Sequence, residues 1–171
     1  EGWLEVSDRK RRRILVKHAD HATQLHARVI ALLSPRPLLA MSLSTVVMVD
    51  ELRDHLTRAG FSLELHVSAS CFSAHPARAL DALTTRSPAA AWLLFGSLEP
   101  VQTWFARRRL PSLIVGSCVS EEPLPSIDAD FRATLRHAGG MLRRNGHRHI
   151  ALIRPEEAYG GETESEEGLR E

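Results

Sequence analysis

The spacing of apolar residues changes repeatedly along the chain, and these changes mark out its elements. Val29-Ile30-Ala31-Leu32-Leu33 is a continuous apolar run closed by Ser34-Pro35-Arg36-Pro37, the pattern of a strand buried on both faces. Over 42–59, Leu43, Val46, Val47, Val49, Leu52, Leu56 and Ala59 recur at helical spacing, and Gly60 stands where a glycine closes a helix. Phe61, Leu63, Leu65 and Val67 alternate with polar neighbours, predicting a second strand nearer an edge. A helix follows over Pro76–Thr85, with its proline in the first turn. Ala89–Phe95 reads as a third, buried strand ended by Gly96-Ser97, and Glu99–Arg109 as a short helix with Val101, Trp104 and Phe105 on one face. Leu110–Val115 is a fourth strand closed by Gly116-Ser117. A polar loop then leads to a helix over Phe131–Arg144, which stops at Asn145-Gly146. One more strand is predicted at His149–Ile153, and Ser165-Glu166-Glu167 has the form of a helix start.

Strands and helices alternate with short connections, which predicts an α/β domain with a doubly wound, mainly parallel sheet flanked by helices. Ligands of such sheets bind beyond the carboxyl ends of the strands. That directs attention to Ser34-Pro35-Arg36, Gly96-Ser97, Gly116-Ser117 and Asp128 to Asp130.

Upstream of the sheet, two short apolar stretches, Trp3-Leu4-Glu5-Val6 and Ile14-Leu15-Val16, flank a polar charged turn, a hairpin pattern. Residues 18–27, with His18, His21 and His26, read as a linker. In all, 22 basic residues face 21 acidic ones, so the chain as a whole does not read as a nucleic-acid binder. The charge is unevenly spread, however: positions 1–30 hold seven Lys/Arg and four Asp/Glu, and positions 156–171 hold seven Glu and one Arg. The 43% hydrophobic fraction excludes wholesale disorder. Two cysteines, Cys71 and Cys118, make neither a disulfide framework nor a metal spacing and read as reduced thiols. No apolar run approaches the ~18 residues of a membrane span, and the chain does not open on a signal segment. A cytoplasmic protein without a membrane partner is expected.

Nucleotide-phosphate cradles are missing: neither Gly-x-Gly-x-x-Gly nor Gly-x-x-x-x-Gly-Lys-Ser/Thr occurs. Gly116-Ser117-Cys118-Val119-Ser120 lies where a nucleophile elbow would sit but lacks the closing glycine and the following helix. Cys118 therefore reads as a small thiol at a strand end rather than a nucleophile. His147 and His149 share a strand face while His137 faces elsewhere, so no metal site and no cofactor is expected. Asp128 and Asp130 have the residue type of an acid–base pair, but without a nucleophile or metal they fit hydrogen bonding to ligand hydroxyls better. No catalytic residue is assigned.

Leu124-Pro-Ser-Ile-Asp-Ala-Asp-Phe-Arg, His137-Ala-Gly-Gly-Met-Leu and Asn145-Gly-His-Arg-His-Ile-Ala-Leu-Ile153 come in an order that resembles LacI/GalR-type transcriptional regulators. Val29–Leu33, Leu56-x-x-Ala-Gly-Phe61 and Leu110–Gly116 support the resemblance, which covers 28–155 and extends to type I periplasmic sugar-binding proteins. It implies a two-lobed cleft that closes on a small effector, usually a sugar or purine. The first lobe would span 28–146 and the second would open at 147 and break off by 171, which implies a fragment. Residues 1–27 resemble the end of a GntR-type winged helix, with Arg9, Lys10, Arg11, Arg12 and Arg13 as a DNA-contacting wing below an upstream DNA-binding domain. From the family's pattern, effector-binding positions fall at Ser34 and just after it (Arg36), at Ser97 and at Asp130, with Asp130 also placed to cap the following helix; Asp128 joins them by its strand-end position, and Ser165 by its place in the second lobe's first helix. Many sugar-binding members carry an arginine where this chain has Ser165, beside Glu166 and Glu167. The family forms dimers through the helix after the first strand, which implies a homodimer surface at Met41, Val46, Val47 and Val49. The expected function is thus the effector-binding and dimerisation portion of a bacterial transcriptional regulator. The alternatives are a small-molecule-binding protein without a DNA-binding role, or an α/β enzyme using Cys118 or Asp128 and Asp130.

Overall fold

The computed structural model describes residues 28–154 and 160–171, together with the backbone of two leading strands, β1 (Leu4–Val6) and β2 (Arg12–Ile14). These two pair antiparallel, with Glu5 opposite Arg13, as the hairpin pattern predicts. The side chains of the basic run Arg9–Arg13 and the expected linker at 18–27 lie outside the described residues.

The main body runs β3 (Val29–Ser34), α1 (Leu43–Arg58), β4 (Ser62–Val67), α2 (Ala77–Arg86), β5 (Ala91–Phe95), α3 (Glu99–Arg108), β6 (Ser112–Val115), β7 (Ser126–Ile127), α4 (Phe131–Arg144) and α5 (Gly160–Arg170). Five strands form one sheet in the order β4-β3-β5-β6-β7, every pair parallel. The interior strand β3 sets Leu32 opposite Leu65 on one side and Leu93 on the other. β4 is an edge strand, and its alternation of polar and apolar residues reflects that position.

Alternate side chains of each strand feed two separate cores. On one face Leu32 and Leu93 pack with Val49 of α1, joined by Leu52, Leu63 and Leu65. On the other, Ala31, Leu33, Trp92, Leu94 and Ile114 meet Leu80 and Leu83 of α2 and Val101 and Phe105 of α3. Trp92 and Phe105 hold this second core at its centre, their ring centroids 5.6 Å apart. Ser42 starts α1 by accepting a hydrogen bond from the Thr45 amide at 3.3 Å, and Gly60, at φ +81°, turns the chain after it.

Two expectations fail. His149–Ile153 forms no strand: residues 147–154 carry no regular secondary structure, and Ile153 is 96% exposed. An apolar run becomes a strand only when a neighbour accepts its backbone hydrogen bonds, and none of the described strands lies beside this one. Nor does a helix start at Ser165; α5 starts at Gly160 and places Ser165 in its second turn, with its hydroxyl donating to the Gly161 carbonyl at 2.8 Å. α4 contributes no side chain to either core and packs instead along α5, so the expected division at 146/147 runs through a packed helix pair.

That pairing is a glycine contact. A Cβ on Gly168 would stand 2.1 Å from the Arg132 carbonyl oxygen, and one on Gly139 would stand 3.0 Å from Leu169. Around this seam Arg132 pairs with Glu167 and Glu171, and Arg136 with Glu171. The hydrogen bond from Arg132 pulls the Glu171 carboxyl below its usual range and raises the guanidinium in turn. The acidity of the chain's last stretch is thus partly answered by α4.

Candidate functional site

At the carboxyl ends of β3, β5 and β6 the sheet opens into a cavity of about 630 Å³. This is where a parallel sheet leaves unpaired strand ends facing a crevice. Gly96 at φ +58° and Gly116 at φ +130° let the chain leave β5 and β6 abruptly, keeping side chains out of the opening. Phe95, Ile114, Val115 and Leu98 give the cavity apolar walls, and Phe131 closes it from the start of α4. Its charged lining consists of Arg36, Asp128 and Glu162.

The sequence-predicted positions fall into two groups. Arg36, Ser97, Asp128 and Ser165 all line this cavity. Asp128 is held in place on both oxygens: the Ser117 hydroxyl donates to one and the Ala129 amide to the other at 2.8 Å. Its remaining lone pairs are available to ligand hydroxyls or amines. Ser34 and Asp130 are turned to the protein itself. Ser34 is fully buried, donates to the Arg36 carbonyl at 2.8 Å and accepts from the Arg36 amide at 3.3 Å, so it shapes the loop that carries Arg36. Asp130 accepts from the Ala133 amide at 2.8 Å as the N-cap of α4, and it is not among the cavity's lining residues.

Four contributors went unrecognised in the sequence. Gln102 of α3 is wholly buried, and its carboxamide reaches both strand-end loops. Its Nε2 donates to the Ser97 carbonyl at 3.0 Å, the Ser97 hydroxyl at 3.1 Å and the Ser117 carbonyl at 3.1 Å. Its Oε1 accepts from the Val119 amide at 2.8 Å and the Ser120 amide at 3.2 Å. Gly160 and Gly161 bring the first turn of α5 to the cavity rim, so close that a Cβ would lie 2.5 Å from the Cβ of Ser117 or 2.6 Å from the Phe131 ring. Phe131, an exposed ring at the head of α4, lines the cavity, although the sequence marks it merely as the first residue of a helix.

Cys118 packs against the core beside α3. His147 and His149 are exposed, in the stretch without regular structure. Among the described residues no three His, Cys, Asp or Glu side chains are grouped to hold a metal ion, and no helix is long and apolar enough to cross a membrane.

No protein-family model and no curated protein matches the chain. Solved structures do. A transcription regulator-like protein from Staphylococcus haemolyticus superposes with a TM-score of 0.71 at 20% identity, over 84% of this chain and 55% of that one. A regulatory protein of the LacI family from Chloroflexus aggregans gives 0.70 at 15% identity, over 84% and 52%. The Cra transcriptional dual regulator from Pseudomonas putida, in complex with fructose 1-phosphate, gives 0.65 at 20% identity, over 85% and 53%. The chain thus has the fold of these proteins and spans about half the length of each.

Proposed function

We propose that the chain is the effector-binding portion of a transcription regulator, and that it senses a small polar molecule rather than transforming one. The observation that carries this reading is the strand-end cavity, where a fixed carboxylate on Asp128 and the Arg36 guanidinium face apolar walls from Phe95 and Phe131. A few placed polar groups on an apolar lining suit recognition of a hydroxylated ligand. The fold is shared with a regulator holding fructose 1-phosphate, which favours a sugar or sugar derivative as the first class to test.

In this reading the two lobes meet at the cavity, and the division falls between Ile127 and Phe131 rather than after Gly146. The sheet and its two cores form one side; α4 and α5 belong to the other. An effector that contacts both sides favours one lobe arrangement, and this population shift is what a DNA-binding head would read.

Thermal melting of the chain against neutral sugars, sugar phosphates, nucleosides and small acids tests the proposal. A ligand present at 100 times its dissociation constant adds roughly 2.7 kcal/mol of stability. The shift should vanish in Asp128→Asn, whose melting without ligand stays near that of the parent chain. A flat panel would sink the sensing role.

Two further parts belong to the same proposal. The hairpin of β1 and β2 carries the basic run Arg9–Arg13, which would act as a DNA-contacting wing. Duplex DNA binding that weakens with salt, and is lost when Arg11, Arg12 and Arg13 become Gln, is the expected result. The second part is homodimerisation through the α1 side of the fold. Val49 is 1% exposed and belongs to the core, so the available surface is Leu39, Leu43, Val47 and Met48, all exposed. Light scattering at micromolar concentration should give a dimer mass; a monomer mass, unchanged in Val47→Glu, would remove this part.

A further inference from the structure

We propose that Gln102 is the positioning residue of the cavity: its one carboxamide sets the spacing of the two strand-end loops and, through Ser117, the orientation of the Asp128 carboxylate. The inference rests on the cavity being a ligand site, but its geometry stands apart from any particular ligand.

Strand-end loops in a parallel sheet are separate excursions of the chain, with nothing intrinsic to hold one against the next. Here the loop after β5 starts at Gly96, and the loop after β6 runs from Gly116 to the polar residues before β7. A glycine with positive φ at the head of each leaves both free to swing. Gln102 lies on the helix between them and bonds to both, through Ser97 on one side and Ser117, Val119 and Ser120 on the other. Every hydrogen-bonding group of the amide is used, as a fully buried side chain requires. A buried amide with all its partners fixes its neighbours closely, because any movement of one loop leaves a polar atom unpaired in a dry setting.

The same splint continues along α3. The Thr103 hydroxyl shares a 3.0 Å hydrogen bond with the Ser120 hydroxyl, and Arg107 pairs with Glu122 at 3.1 Å. Both of these contacts are more exposed than the Gln102 amide and hold the outer part of the loop. Of these α3 side chains, Gln102 is the one that reaches the inner part among the described residues, where the Ser117 carbonyl accepts its bond and the Ser117 hydroxyl donates to Asp128. The chain of contact is therefore Gln102, Ser117, Asp128. Its two ends are a buried helix residue outside the cavity and the carboxylate that faces it. Ser97, which also lines the cavity, is held by the same amide.

Hydrogen exchange measured residue by residue, without ligand, separates positioning from bulk stability. In Gln102→Leu, which keeps the size and loses the bonds, the Val119 and Ser120 amides should exchange at least tenfold faster while Leu94 and Ile114 in the strands stay as they were. In Gln102→Glu, which keeps an acceptor for those amides and loses the donor to Ser97 and Ser117, Val119 and Ser120 should stay protected. Any ligand found in the melting panel should bind at least tenfold more weakly to both variants. Equal acceleration across the strands and the loops would make Gln102 a stability residue only and overturn the proposal, as would unchanged exchange in Gln102→Leu. Tight binding retained in both variants would overturn the link to Asp128. A flat panel, by contrast, bears on the sensing role alone and leaves the exchange result to stand or fall by itself.

Discussion

Replacing Gly168 by alanine tests the helix seam that brings Phe131, Glu162 and Ser165 to the cavity. An alanine in a helix is ordinarily favourable, by about 1 kcal/mol relative to glycine. Here the added Cβ would stand 2.1 Å from the Arg132 carbonyl oxygen and 2.8 Å from the Cα of the same residue. Those are backbone atoms in the first turn of α4, so no change of rotamer relieves the overlap and α5 must back away. Overpacking costs about 1–3 kcal/mol, and a clash against backbone belongs at the upper end of that range. Subtracting the gain in helix propensity leaves about 2 kcal/mol against docking, roughly a 30-fold change in the open population of α5. Gly140→Ala is the matched control, because its Cβ would meet only the Arg144 guanidinium at 3.5 Å. That variant should gain about 0.5–1 kcal/mol. Amide exchange of α5 reads the difference directly: about 30-fold faster in Gly168→Ala, with β5 unchanged, and no faster in Gly140→Ala. Exchange in α5 that slows or stays constant in Gly168→Ala would refute the seam, and with it the placement of Glu162 and Ser165 at the cavity.

Two other expectations follow from buried rings. His66 lies under the edge of the sheet with its ring centroid 5.7 Å from that of Trp92, its Nε2 buried without a hydrogen bond and 3.6 Å from the Glu64 carboxylate. Burial pushes the imidazole below its ordinary value, with Glu64 opposing and Arg86 adding to the shift. For a base lowered by folding, the unfolded chain takes up its proton first. Stability is therefore full above about pH 6.5 and declines as pH falls through that value towards the folded one. His66→Phe should flatten melting temperature against pH across that window; an unchanged slope would assign the decline to other groups. Phe105 is wholly buried, against Trp92 and with the Trp104 centroid 5.0 Å away. Phe105→Ala should cost about 3–5 kcal/mol in urea unfolding, and a loss under 1 kcal/mol would mean that this core collapses to fill the space.

The fold was largely legible because its elements obey local rules. The runs at Val29–Leu33 and Ala89–Phe95 are buried on both faces, and they became β3 and β5 in the centre of the sheet. The polar alternation of 61–67 marked an edge, and Gly60 and Asn145-Gly146 marked two helix ends. The misreadings concern partners. His149–Ile153 has a strand's composition and no described strand beside it; Gly160-Gly161 carried no element in the sequence, yet these glycines start a helix and pass close to Ser117 and Phe131. Topology pointed to the strand ends where the cavity opens, and Arg36, Ser97 and Asp128 line it. It could not tell which polar side chains face inward to their own backbone, as Ser34 and Asp130 do. Gln102 was invisible for the opposite reason: a glutamine between Val101 and Thr103 has the signature of a polar helix face, and only the tertiary fold turns it into a buried amide.

The interior place of β3 also bears on synthesis. Its five-residue apolar run is the first part of the sheet to leave the ribosome, yet β3 pairs with β4 on one side and β5 on the other. Leu33 cannot meet Leu94 until the intervening helices and strand have been made. At ordinary elongation rates of about 5–20 residues per second, that wait lasts roughly 3–12 s. Until β4 is made both edges of β3 stand open, and from then until β5 is made one still does, which is the condition under which nascent chains engage chaperones or one another.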